Sequence, residues 1–161
     1  MDEIIGNTKI VSITTNNNQP ISSEVFTPGK GGATFNKQKP DITIKFVEGK
    51  EKTVSLINFP NSDNVKTVKI TLTPVDGKKE IFRNVDATKP FFSTFTGLVK
   101  EILIEVESTT DDLNVKKLEI SVKSCSQETT IASTTTTTTG TGSTTTTPTT
   151  TTTTGTGSTT T

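Results

Sequence analysis

Apolar and polar residues alternate with a period of two through most of the first 125 positions. Ile42, Ile44 and Phe46 are separated by Thr43 and Lys45, Val54 and Leu56 by Ser55, and Val68, Ile70 and Leu72 by Lys69 and Thr71. Further on, Ile102, Ile104 and Val106 alternate with Leu103 and Glu105, and Leu118, Ile120 and Val122 alternate with Glu119 and Ser121. In an extended chain successive side chains point to opposite faces, so each segment predicts a strand with one buried row and one solvent row. On this pattern Glu119 and Ser121 face outward. Lys9–Ile13 is a further short apolar strand. Val, Ile and Thr dominate these segments, which suits a pleated, half-buried surface. No window of about twelve residues keeps a helical period between good caps.

Pro20, Pro28-Gly29, Gly31-Gly32, Pro40, Pro60, Pro74 and Pro90 punctuate the strands. Asp76-Gly77 lies between two of them and predicts a hairpin, because Gly tolerates the positive φ of such turns. About eight short strands at turn-separated intervals predict an all-β fold, an antiparallel β-sandwich or jelly roll. Phe46, Phe59, Phe82, Phe92 and Phe95 are the expected aromatic core.

After Cys125 the composition changes. Residues 126–133 are a transition, and residues 134–161 consist of 21 Thr, 4 Gly, 2 Ser and 1 Pro. Such a tract cannot bury enough apolar surface to offset its ordering entropy. The chain is therefore expected to divide into a sandwich over 1–125 and a low-complexity stalk over 126–161. The tract repeats every 15 residues, so that Gly140 aligns with Gly155 and Ser143 with Ser158. Dense hydroxyls with Pro and Gly form the composition of O-glycosylated, mucin-like stalks. Candidate acceptors are Thr134, Thr135, Thr136, Thr144, Thr145, Thr149, Thr150 and Thr151. A bare flexible linker and a β-assembling repeat are the alternatives. The repeat is cut off, and MDEIIGNTKI has no apolar run of the length a secretory signal needs. Both features predict a fragment of a longer secreted, extracellular protein whose signal peptide lies outside it. No membrane span is expected.

The charges balance, with 17 Lys plus Arg against 17 Asp plus Glu, which predicts no nucleic-acid surface. His, Trp and Tyr are absent. Histidine triads and His zinc sites are thereby excluded, and no catalytic residues or cofactors are predicted. The single Cys125 excludes a thiolate cluster or a CxxC pair. In an extracellular setting it predicts a disulfide to a partner outside this chain, or an intermolecular one, with an inert thiol as the alternative. Asp63, Asp111 and Asp112 lie in polar loops that could offer oxygen ligands to calcium, although Asp and Asn are also ordinary turn formers. Glu24, Glu48, Glu101 and Glu105 could in principle supply two catalytic carboxylates for glycoside hydrolysis, and solvent-facing charge is the simpler reading. Thr27–Ala33 lacks phosphate-loop spacing and reads as a surface loop. Sugar recognition without Trp or Tyr would have to use exposed Phe26, Phe35 or Phe91, with the amides of Asn16, Asn17 and Asn18 as hydrogen-bonding groups.

The segment VKTVKITLTPVDGKK (65–79) and the ending VKEILIEVESTTDDLNVKKLEISVKSC (99–125) resemble strands of discoidin-like, galactose-binding-type jelly rolls. The resemblance implies that the closing Cys lies beside the opening of the domain, where the family has its partner cysteine and this sequence has none. A sandwich followed by a Thr-rich tract also resembles parts of large mucin-like extracellular animal proteins. The expected function is a non-enzymatic structural or adhesive module on an O-glycosylated stalk. It would belong to a larger repetitive fibrous or gel-forming protein whose partners are other copies or extracellular glycans. The alternative is a carbohydrate-binding accessory domain tied by its linker to a secreted glycoside hydrolase.

Overall fold

Strands form wherever the alternation is sustained, and in several places where it is not. The computed structural model describes residues 2–125. They contain ten strands: β1 (Asp2–Glu3), β2 (Val11–Thr15), β3 (Gln19–Ile21), β4 (Asp41–Phe46), β5 (Thr53–Asn58), β6 (Val65–Pro74), β7 (Glu80–Asp86), β8 (Phe91–Phe92), β9 (Val99–Thr109) and β10 (Ser121–Cys125). The one helical element among the described residues is a 3₁₀ turn at Ser23–Phe26, where Ser22 Oγ accepts the Glu24 N–H. The fold is all-β, with ten strands rather than about eight, the short β1, β3 and β8 carrying no readable alternation.

The strands form two antiparallel sheets, β1-β10-β5-β8 and β3-β2-β4-β9-β6-β7. Register explains how the larger sheet packs. Ile13, Ile44, Ile102 and Leu72 form one cross-strand row, and Ile42, Ile104 and Ile70 form the next. All but Ile13 in these rows are fully buried. Each such side chain contributes about 1.5–3 kcal/mol from burial, and a slip of one residue would turn every row to solvent. The opposite rows, Asp41–Glu105–Lys69 and Lys45–Glu101–Thr73, face outward. Val54, Ile57 and Val122 of the smaller sheet join the same core and make the sandwich. The expected Asp-Gly hairpin connects β6 to β7, with Gly77 at φ +96°.

Two expectations need correction. Leu118–Ile120 is not regular strand. Its N–H groups go separately to Ala33 O, Ser62 Oγ and Phe26 O, because loops lie over the face that alternation assigns to water. Glu119 and Ser121 are consequently buried, not outward. Among the aromatics, Phe46 and Phe59 are buried and Phe82 and Phe95 half-buried, but Phe92 is 65% exposed. Its row partner across the strands is Leu56, which a register shift between Val54 and Leu56 turns out of the expected Val54 row onto the solvent face of the smaller sheet, and β8 is that sheet's edge. Phe26 and Phe35 fill the core instead, their rings stacked 6.5 Å apart.

Candidate functional site

Asn16, Asn17 and Asn18 form the whole turn between β2 and β3, with φ of +38°, +63° and +65°. Asn tolerates this left-handed conformation better than other residues with a Cβ. The Asn16 N–H donates to Asp41 Oδ1 at 3.2 Å, tying the turn to β4. Phe26 and Phe35 offer no stacking face beside these amides, since they are 0% and 6% exposed. Neither is a ligand platform, contrary to the expectation from sequence: both close the core. Phe91 is half-buried and packs edge-on against Phe82 at 4.9 Å, joining β8 to β7.

The two acidic loops singled out for calcium come together, and Asn64 is the link. Its amide donates to Asp111 Oδ1 and to Asn114 O, each at 2.9 Å, and its Oδ1 accepts from the Lys116 N–H. Asp111 also pairs with Lys116 Nζ at 3.2 Å and accepts the Leu113 N–H. The Asn64 hydrogen bond, with help from Lys116 and Leu113, holds the Asp111 carboxyl below its ordinary value of 3.8. Asp63 joins Lys117 through the backbone, and Asp112 is a turn residue at φ +57°. Among the described residues no three acidic, His or Cys side chains converge as a metal-ligand group.

Glu119 is the residue that the alternation misplaces most. It is 1% exposed and sits where three segments meet. Asn61 Nδ2 donates to Oε1 at 3.2 Å, the Gly29 N–H donates to Oε2 at 3.3 Å, and Lys117 Nζ lies 3.6 Å from Oε2. Ser62 Oγ accepts the Glu119 N–H and donates to its carbonyl, which fixes the backbone. Gly32, at φ +73°, lies against the stems of both charged residues. A Cβ there would come within 2.7 Å of Lys117 Cγ and 3.4 Å of Glu119 Cγ. The expected surface loop Thr27–Ala33 is thus pinned over a buried carboxylate and its partly exposed lysine partner. No local sequence signal marks the site, because the covering groups Ser62 and Gly29 lie 57 and 90 residues from Glu119 in sequence.

The solvent face of the larger sheet carries a cleft of about 450 Å³, lined by Lys39, Asp41, Lys69, Asn84, Glu105 and Glu107 among others. Lys69 bridges Glu105 at 2.7 Å, while Glu107 accepts the Asn84 N–H at 2.8 Å. Glu105 and Asp41 oppose each other in register, and the Lys69 ammonium offsets that repulsion. Glu48 and Glu101 line a second cleft beside Lys45 and Lys100. These carboxylates share their faces with cations.

Cys125 ends β10 with its thiol exposed and unpaired among the described residues. β10 lies between β1 and β5, with Asp2 opposite Ser124, so the opening of the domain runs beside Cys125. The candidate glycosylation threonines lie outside the described residues. No helix among the described residues is long and apolar enough to cross a membrane. No protein-family model and no curated protein sequence matches this chain.

Proposed function

We propose that the chain is a non-enzymatic extracellular structural or adhesive module: a β-sandwich head on an O-glycosylated, mucin-like stalk from a larger repetitive protein. The observation that carries this reading is the position of β10. The strand is hydrogen-bonded on both sides, to β1 and β5, and ends at Cys125, one residue before the composition changes. The Thr-rich tract therefore continues from an internal strand rather than from a free edge, so tension on it acts on a strand gripped from two sides. Glycans on adjacent Thr would stiffen and hydrate the arm, and several copies in one polypeptide would add avidity without a strong single site. Recovery of the protein from its source and mapping of glycopeptides tests this. Hexose-bearing Thr within 134–161 is the expected result, and an unmodified tract overturns the stalk.

A second reading, a carbohydrate-binding accessory domain, draws on the polar cleft over β4, β9, β6 and β7. Its alternating Lys, Asp, Glu and Asn side chains offer both donors and acceptors to sugar hydroxyls. The cleft has no aromatic lining residue, which removes the stacking surface that usually holds a pyranose.

A further inference from the structure

The Lys117, Glu119 and Asn61 side chains form an arrangement that does more than neutralise charge. We infer that Asn61 and Lys117 become joined by an autocatalytic isopeptide bond, with Glu119 as the catalytic residue. The inference goes beyond the structural or adhesive reading and stands or falls without it.

The two oxygens of one buried carboxylate each hold one reactant: Oε1 the carboxamide of Asn61, Oε2 the ammonium of Lys117. Amine and amide thus share one carboxylate as their common neighbour, and holding reactants at one group lowers the barrier to their encounter. Their backbones are fixed as well. Lys117 bridges Asp63, two residues past Asn61, and the Asp63 N–H donates to Lys117 O at 2.9 Å. Gly32 covers the aliphatic stems from above, at a distance that admits no Cβ. The Glu119 side chain is 1% exposed, so little water competes at the carboxylate, whereas the Lys117 side chain is 34% exposed.

The chemistry balances without an added reactant. Glu119 takes a proton from the Lys117 ammonium and leaves a neutral amine, the nucleophilic form of lysine. The Nζ lone pair attacks Asn61 Cγ, and the Nζ–Cγ bond forms. The carboxyl returns its proton to the departing nitrogen, the Cγ–Nδ2 bond breaks and ammonia leaves. Ammonia carries away the remaining Nζ proton as ammonium, and Glu119 is again a carboxylate. One amide replaces another, so no oxidation or reduction occurs. The product ties the β5–β6 loop to the segment that leads into β10.

Peptide mass spectrometry of the full-length folded protein tests the inference. After trypsin, the bond gives a branched species of residues 53–66 and 117–123, uncleaved after Lys117 and one ammonia lighter than the two peptides combined. Lys117→Arg keeps the charge and removes the amine nucleophile, so the branched species disappears. Glu119→Gln and Glu119→Ala lose it too, and circular dichroism reports whether each variant keeps its strand content. Linear peptides alone from folded wild-type protein overturn the bond. Full branching in a folded Glu119→Ala protein overturns the role of Glu119.

Discussion

Glu3 accepts a hydrogen bond from Ser121 Oγ at 2.9 Å through one carboxylate oxygen, and its other oxygen accepts the Val122 N–H at 3.0 Å. The opening strand is therefore attached to the closing strand by a side chain as well as by the β1–β10 ladder. Glu3→Ala removes both bonds and leaves the buried Ser121 hydroxyl without this partner. A loss of about 1–3 kcal/mol follows, measurable as a lowered urea midpoint with an unchanged slope. An unchanged midpoint would show that the Glu3 side chain contributes nothing to closure.

The two aromatic corrections predict opposite sensitivities. Phe26 is fully buried and stacked on Phe35, so Phe26→Ala should cost about 3–5 kcal/mol. Phe92 is 65% exposed at a sheet edge, so Phe92→Ser should stay within about 0.5 kcal/mol. Chemical denaturation of the pair checks the assignment, and reversal of the order would refute it.

Legibility of the fold followed the physical source of each signal. β4, β6 and β9 were readable because one face of each meets the core and the other meets water, so their alternation is clean. β7 was not, because as an edge strand it is largely exposed and is interrupted by Asn84 at φ +55°. Glu119 was misassigned because alternation assumes solvent on the second face, whereas loops from residues 27–33 and 61–63 cover it. That covering depends on contacts 57 and 90 residues apart in sequence, from Ser62 and Gly29, which no local pattern carries. The loop aspartates were readable as turn formers, but their union through Asn64 was not.

The turn Asn16–Asn18 gives a test of backbone conformation. At Asn17, with φ +63°, Val would cost about 1–2 kcal/mol because its branched Cβ crowds the left-handed region. Gly at the same site should be near neutral. Thermal unfolding of Asn17→Val and Asn17→Gly separates the two, and equal destabilisation would contradict a purely conformational role.

Acid should loosen the link between the Asn64 and Asp111 loops. The Asp111 carboxyl is held below 3.8, chiefly by Asn64, so its folded value lies under its unfolded one. The stabilisation is fully present above the unfolded value and is lost as pH falls through the lower folded value. NMR titration of the Asp111 carboxyl should give a midpoint below 3.8, and Asn64→Ala should move it upward. A wild-type midpoint at or above 3.8 would refute the linkage.

The role proposed for the sandwich is that of a structural head, not of a reader of a particular sugar. Glycan-array binding by the full-length protein tests it most directly. No saturable retention of any glycan class is expected, and no difference between wild type and Lys69→Ala. Selective retention of one glycan class that Lys69→Ala abolishes would contradict the claim and assign the sheet-face cleft to carbohydrate recognition.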